Sequence, residues 1–370
     1  MERKPRVLVI TPDFPPAVGG IQTLVHRIAG HSERLATRVL SLPTPGSDRF
    51  DVEGRLDIRR SPKLGGTRWA DVAALNAFAI REAVRFRPEL VLSAHIVAAP
   101  AAWTIGRATG SATIQYLYAD ELRGRPKLAR FAVHQADAVV AISSYTSRLA
   151  VEAGADPDKV RLIPCGVDPA RVSANGRRAD APTMITVAGL TFSYKGHDVV
   201  MKALPLVRGR VPDARWLIVG DGPLRGALKT QATLIGVDEH VSFLGSVSDE
   251  RRDELLSSAH VFVMLSRLPA SGVGGEGFGI VYLEAGTHHL PVVAGNVAGA
   301  LDAVVDGETG VLVDPTDHVA VADAIADLLL DPDRAHRLGE GGARRAAELS
   351  WPNVARQVEE LVLDLVSRSR

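Results

Sequence analysis

Glu276 and Glu284 bracket the segment Glu276-Gly277-Phe278-Gly279-Ile280-Val281-Tyr282-Leu283-Glu284, in which two carboxylates eight positions apart flank a glycine-rich turn and an apolar helix. Glycine lets a backbone approach a ligand closely, and the first amides of a helix are unpaired and sit at the positive end of its dipole. The spacing places Glu276 ahead of the helix and Glu284 about two turns into it. One acid can then face the reacting end of a long polar ligand while the other holds a different part. A sugar nucleotide fits this arrangement, with hexose at one carboxylate, ribose diol at the other and diphosphate near the amides.

Other segments offer cations or amides to the same kind of ligand. Asp13-Phe14-Pro15-Pro16-Ala17-Val18-Gly19-Gly20 follows an apolar run, and Gly19-Gly20 opens a helix whose amides can face a phosphate. Lys195-Gly196 can place a point charge on a diphosphate; alone it would read as a solvated lysine. Gly220-Asp221-Gly222-Pro223-Leu224-Arg225-Gly226 superficially resembles a dinucleotide fingerprint, but its spacing is Gly-x-Gly-x-x-x-Gly. It keeps a nicotinamide oxidoreductase open as a rival reading, while Pro223 fits a simple helix start. Gly295-Asn296-Val297-Ala298-Gly299 could form a further phosphate-facing turn. His288 and His289 are adjacent and point in different directions, so a joint metal site is disfavoured, and no histidine has metal-ligand spacing. No serine elbow or catalytic dyad is set by spacing.

These pieces must be carried by regular elements. The chain has 370 residues, enough for two domains, and is 46% hydrophobic and 23% charged, which supports large packed cores. Lysine plus arginine and aspartate plus glutamate both number 43, and this balance argues against a dedicated nucleic-acid binder. One cysteine, Cys165, excludes an intrachain disulfide and agrees with a reducing cytoplasm. The run Val7-Leu8-Val9-Ile10 is too short for a signal-peptide core, and no stretch reaches the length of a spanning helix. A cytoplasmic location follows, with peripheral attachment to the inner face of the membrane as an extension. That extension rests on two basic stretches, Arg55–Arg87 and Arg123–Arg130. Each reads either as a solvated face or as a surface for an anionic acceptor or an anionic membrane.

Short apolar runs alternate with helical patterns. Val7–Ile10, Thr37–Leu42, Leu90–Ser93, Ala112–Tyr116 and Ala138–Ile142 read as strands, with the Ala70–Arg87 pattern as a helix among them. The rhythm breaks near Pro164–Pro169, and the polar stretch Ser173–Pro182 reads as a linker. It then restarts with strands at Met184–Ala188, Ala214–Val219, Val241–Leu244, Val261–Leu265, Pro291–Ala294 and Gly310–Val313. Helical patterns lie at Asp249–Ser257, at Val319–Leu330 and after Trp351-Pro352. This is an α/β architecture of two doubly wound parallel sheets, which bind ligands beyond their strand C-termini. The expected organisation is a first domain over 1–172, a linker over 173–182, a second domain over 183–350 and a C-terminal helix over 351–370 that packs back across the domains.

Taken in order, the motifs resemble the family-4 retaining glycosyltransferases of GT-B fold, two Rossmann-like domains facing a central cleft. The resemblance is carried by Phe14-Pro15-Pro16 with Gly19-Gly20-Ile21-Gln22, Ile163-Pro164-Cys165-Gly166-Val167-Asp168 and Gly220-Asp221-Gly222-Pro223-Leu224. Glu276 to Glu284-Ala285, Pro291-Val292-Val293-Ala294 and Gly307-Glu308-Thr309-Gly310 complete it. In form it looks most like the phosphatidylinositol mannosyltransferase branch. The resemblance implies transfer of a hexosyl unit from a UDP- or GDP-sugar to a hydroxyl acceptor with α linkage and without a metal or other cofactor. It gives the donor hexose to Glu276, and donor oxygens to the amides of Gly277, Phe278, Gly279 and Ile280. It gives the ribose to Glu284, and the diphosphate to Lys195 and the Gly19-Gly20 amides. The family's arginine six residues before the lysine is Gly189 here, and Arg267 is the substitute cation to expect. The family's acceptor-side histidine is Tyr118, within Tyr118-Ala119-Asp120-Glu121; Asp120 and His95 are the other acceptor-side candidates. Gly189 and Tyr118 also keep a non-catalytic relative that binds a nucleotide or glycan in view.

Overall fold

The computed structural model describes residues 3–170, 178–269 and 275–368, so residues 173–177 of the expected linker lie outside the described residues. Two compact units emerge, Met1–Gly166 with Trp351–Arg370, and Val167–Ser350. The C-terminal helix, Trp351–Arg368, thus groups with the first unit. Its apolar face (Trp351, Val354, Ala355, Val358, Val362) is buried. It packs on the Gly20–His31 helix, and Glu359 accepts the Arg34 amide at 2.6 Å. Gly166 keeps this helix close, because a β-carbon there would meet the Trp351 ring at 2.6 Å.

The first unit is built on β1 (Arg6–Ile10), β2 (Ala36–Ser41), β3 (Asp57–Arg60), β4 (Leu90–Ser93), β5 (Ala112–Leu117), β6 (Ala138–Ala141) and β7 (Val160–Leu162). All run parallel in the order β3-β2-β1-β4-β5-β6-β7. Central strands covered on both faces are continuous apolar runs, and Leu8, Ile10, Leu40 and Val91 are fully buried. One face packs on Leu75, Ala79 and Ala83 of the Arg68–Phe86 helix and on Ile105 of the Ala99–Thr109 helix.

The second unit carries β8 (Thr183–Val187), β9 (Arg215–Val219), β10 (Val241–Gly245), β11 (Val261–Met264), β12 (Val292–Gly295) and β13 (Gly310–Val313). These are parallel in the order β10-β9-β8-β11-β12-β13. Met184, Trp216, Val261, Val263 and Val293 form its core with Leu204 and Val207 of the His197–Arg210 helix and Val321 and Ile325 of the His318–Leu330 helix. Among the described residues no helix is long and apolar enough to cross a membrane.

Strand order reverses between β1 and β4 in the first unit and between β8 and β11 in the second. Loops leaving such neighbouring strands part to opposite sides and open a crevice at the strand C-termini. In the second unit the crevice loops are locked by glycines. Gly196 has φ +78°, and a β-carbon there would lie 2.2 Å from the Leu265 carbonyl oxygen. A β-carbon on Gly295 would meet the Ser266 oxygen at 2.3 Å, and one on Gly299 the Gly277 oxygen at 2.2 Å. Gly299→Ala must therefore displace the Gly277 backbone. We expect a loss of about 1–3 kcal/mol, the usual penalty for forcing atoms into a packed site. Gly209→Ala, with nothing near its β-carbon position, should be neutral or slightly stabilising. Equal denaturant midpoints for the two variants would contradict this.

Candidate active site

The loops at the second unit's switch point bring Lys195 and Glu276 together. Lys195 ends the short turn Ser193–Lys195 after β8, and Glu276 follows β11. The Lys195 Nζ donates to the Glu276 Oε2 in a close ion pair, and the Ser266 hydroxyl donates to the same oxygen at 3.3 Å. The lysine and glutamate side chains are only 19% and 12% exposed, so each is the other's main compensation for lost water. The Tyr194 ring lies under the ammonium, 5.4 Å away, and stacks on Phe192.

Behind Glu276, the Gly299 amide donates to the Glu276 carbonyl at 3.0 Å. Gly295-Asn296-Val297-Ala298-Gly299 thus braces the loop of the first carboxylate. Gly277 and Phe278 lead into Gly279, which adopts φ +90° as N-cap of the helix Ile280–Thr287. No side chain caps that helix, so its first amides remain for an oxygen-rich ligand. The Phe278 ring is buried, and the Tyr282 hydroxyl anchors the helix to the Met264 carbonyl at 2.9 Å. Glu284 is the fifth residue of this helix, a little over one turn in rather than two, because the helix begins at Ile280 and not nearer Glu276. Burial raises the Glu284 carboxyl above its ordinary value, and Arg252, 3.8 Å away, counteracts this.

Arg267, expected as a stand-in cation for Gly189, forms a two-pronged pair with Asp198 at 2.9 and 3.0 Å. Its amide also donates to the Tyr194 carbonyl at 2.8 Å. Its charge is thus matched within the protein, and the residue ties the β11 loop to the loop that carries Lys195. Asp198 was invisible to sequence reasoning: it lies 69 positions from its partner and belongs to no motif. Gly220 and Gly222 face protein rather than solvent, since β-carbons there would meet the Ala188 oxygen at 2.1 Å and the Leu190 carbonyl at 2.5 Å. Gly220 and Gly222 therefore serve packing between loops, while Gly226 is exposed with nothing near its β-carbon position. His288 turns to Ser257 and Asp253, and His289 to Glu340.

In the first unit, Asp13 and Gly19-Gly20 follow β1, and His95 follows β4, so all lie at that sheet's switch point. Gly19 is the N-cap and Gly20 the first residue of a helix without a side-chain cap. His95 lines a cavity of about 90 Å³ with Arg68, Trp69 and Arg125. Arg68 pairs with Asp13 at 2.9 Å, while Arg125 lies over the Trp69 ring at 4.9 Å. Asp120 is exposed in the first turn of the Ala119–Gly124 helix. The Tyr118 ring, by contrast, is buried and its hydroxyl is enclosed without a hydrogen bond, so the structure turns it to the interior and not to an acceptor. In the basic stretch Arg55–Arg87, Arg59, Arg60, Arg68 and Arg85 are held in internal ion pairs, among them Arg60 with Asp51 at 2.7 Å and Arg85 with Glu82 at 3.2 Å.

The residue from the Tyr118 stretch that does reach the cavity's histidine is Glu121. Its Oε2 lies 3.0 Å from His95 Nδ1, and it accepts the Ile96 and Tyr118 amides at 3.1 Å each. Burial raises the Glu121 carboxyl to about 8 despite those amides, and burial lowers the His95 imidazole to about 4. At neutral pH the pair holds one proton, on Glu121. Nδ1 then serves as acceptor, also facing the Val97 amide at 3.2 Å, which assigns the ring proton to Nε2.

Two Rossmann-like parallel-sheet units, each with charged residues and an uncapped helix start at its switch point, are the GT-B architecture of sugar-transfer enzymes. Residues 18–171 match Glycosyltransferase Family 4 and residues 171–345 match Glycosyl transferases group 1; the chain belongs to this glycosyltransferase family. It is 32% identical to a GDP-mannose-dependent alpha-(1-6)-phosphatidylinositol monomannoside mannosyltransferase of Mycolicibacterium smegmatis, over 96% of this chain and 98% of that one. A Corynebacterium glutamicum mannosyltransferase described as acting on the monoacylated form is 30% identical over 95% and 96%. In fold it is similar to Anabaena HepE in complex with UDP and glucose (TM-score 0.81, 19% identity, 97% and 99% covered). It is also similar to sucrose-phosphate synthase of Thermosynechococcus elongatus (TM-score 0.81, 21% identity, 99% and 100% covered).

Two outcomes follow. If the Arg267–Asp198 pair positions the Lys195 loop, Arg267→Ala and Asp198→Asn should lower sugar transfer to a similar degree. A loss of roughly a hundredfold is what a small misplacement of reacting groups costs. A large loss for Arg267→Ala with a normal rate for Asp198→Asn would instead make Arg267 a ligand-facing cation. The second outcome concerns Glu121. Between about pH 6.5 and 8 the folded pair keeps one proton and the unfolded chain none, so stability falls as pH rises. The fall should total about 1 kcal/mol over that window. Glu121→Gln stays neutral and should abolish this slope in denaturation curves; parallel curves for the two proteins would contradict the assignment.

Proposed function

We propose that this glycosyltransferase moves a mannosyl unit from GDP-mannose to a hydroxyl acceptor, retaining the α configuration and using no metal. The observation that carries the reading is the Lys195–Glu276 pair at the second switch point, beside an uncapped helix start and ahead of Glu284. The GDP-mannose-dependent relatives, 30–32% identical over nearly the whole chain, support the choice of donor.

In this reading an arriving diphosphate takes Lys195 from Glu276. The freed carboxylate accepts hydroxyls of the donor hexose and faces the positive charge that develops at its anomeric carbon. The amides at Gly277, Phe278, Gly279 and Ile280 hold donor oxygens, and Glu284 accepts from the ribose diol. Lys195 stabilises the negative charge on the departing GDP. The bond from the anomeric carbon to the phosphate oxygen breaks, and the acceptor oxygen bonds to the same face of that carbon. The acceptor proton passes to the phosphate oxygen. Catalysis then rests on placed charge and needs no protein nucleophile. Arg68, Arg125 and the His95 Nε2–H point to an acceptor with an anionic group, held by the first unit. A cytoplasmic, membrane-peripheral setting agrees with such an acceptor.

Thermal shifts with GDP, UDP and their sugar conjugates test the donor. A ligand at a hundred times its dissociation constant adds about 2.7 kcal/mol. GDP and GDP-mannose should stabilise the wild type and lose most of that effect in Glu284→Ala. No shift from any nucleotide would favour a non-catalytic relative. Gly189 offers a second test, because a β-carbon there would find only the Asp221 oxygen, 4.0 Å away. Gly189→Arg should therefore fold normally and bind GDP more tightly, by roughly tenfold for one charge-assisted contact. Unchanged or weaker binding would remove the diphosphate from that loop.

A further inference from the structure

The cavity at His95 in the first unit is small beside one in the second unit. A cavity of about 570 Å³ lies between the loop 305–309 and the helix Pro332–Glu348. The loop immediately precedes β13, so it sits at the N-terminal end of the parallel sheet. Lys195 and Glu276 leave the opposite, C-terminal end, a strand's length away. This cavity therefore has no part in the proposed transfer.

Its wall is strongly basic. Arg334, Arg337, Arg344 and Arg345 line it, against two carboxylates, Glu308 and Glu348. Helical spacing explains the cluster: positions three, four and seven apart share one face. Gly341 occupies the middle of that face, where a β-carbon would come 1.8 Å from the Glu308 carbonyl oxygen. The glycine thus lets the helix backbone rest on the loop and leaves the arginines to flank the opening. Arg334 is 3.9 Å from Asp327, and Arg345 is 3.6 Å from Glu348 and donates to the Asp302 carbonyl at 3.0 Å. The Arg345 Nε is shielded from solvent with no hydrogen-bond partner. Arg337 and Arg344 are exposed and form no ion pair among the described residues.

We propose that this cavity is a second, phosphate-binding site, remote from the transfer chemistry, in which Arg337 and Arg344 clamp a phosphate monoester or diphosphate group. Guanidinium forks match phosphate oxygens in pairs, and two unpaired cations suit an anion carrying two charges. The lining contains no aromatic residue, so the site offers no stacking face to a nucleobase and recognises the phosphate itself. That phosphate can belong to a soluble metabolite or to the phosphomonoester headgroup of phosphatidic acid.

Inorganic pyrophosphate is the probe, with hydrogen exchange as the readout, because exchange localises binding. Pyrophosphate should slow exchange in 305–309 and 334–348 of the full chain. In Arg337→Glu/Arg344→Glu the concentration required should rise at least tenfold, while any protection near Lys195 and Glu276 persists. The milder pair Arg337→Gln/Arg344→Gln, checked by its melting temperature, should weaken binding in the same sense. Absence of protection in 305–309 and 334–348, or equal protection in wild type and both double variants, would overturn the proposal. Flotation with phosphatidylcholine vesicles, with and without phosphatidic acid, identifies the source. Binding to the phosphatidic acid vesicles that is lost in the variants assigns a headgroup, and pyrophosphate protection without such binding assigns a soluble phosphate.

Discussion

Contacts that only glycine permits hold the second unit's reactive end together. Gly196 against Leu265, Gly295 against Ser266 and Gly299 against Gly277 bring the loops after β8, β11 and β12 into backbone contact. At those separations a β-carbon has no room, and the loops would have to part. Their closeness is what puts the Lys195 ammonium on the Glu276 carboxylate. In the proposed transfer this pair supplies the cation for the diphosphate and the anion for the hexose.

The two units solve similar problems with different materials. In the second, charge is held by charge: Lys195 by Glu276, Arg267 by Asp198. Each pair lies partly out of water, so removing one partner strands the other at a cost that surface pairs do not show. In the first unit a buried acid and a buried imidazole share one proton. Burial pushes Glu121 up and His95 down, and the two shifts leave a neutral couple that holds the ring in one tautomer. The histidine can then offer a fixed N–H beside Arg68 and Arg125 without adding a third positive charge.

Much of the fold was legible in the sequence because central parallel strands are apolar on both faces. All six strands of the second unit and five of seven in the first lie where the apolar runs predict, within one or two residues. The two missed, β3 and β7, are the sheet edges. Asp57-Ile58-Arg59-Arg60 carries three charges and Val160-Arg161-Leu162 is three residues long; short, charged edges resist unwanted pairing, and the same features hide them from hydropathy. The motif residues Lys195, Glu276 and Glu284 fall in one unit around one switch point. What sequence could not supply was partnership across long separations. Asp198 beside Arg267, Glu121 beside His95, and the inward turn of Tyr118 depend on which loops become neighbours. Gly220 and Gly222 show the converse, since their spacing superficially suggested a ligand and their surroundings are backbone.

The central claim is that Glu276 restrains Lys195 until a diphosphate replaces it, and it is tested most directly by GDP affinity and sugar transfer in Glu276→Gln. Neutralising the carboxylate frees the lysine, so the account predicts that GDP binds at least as tightly as to the wild type while transfer falls by a factor of about a hundred or more. Weaker GDP binding in Glu276→Gln, matching that of Lys195→Ala, or transfer at the wild-type rate, would contradict it.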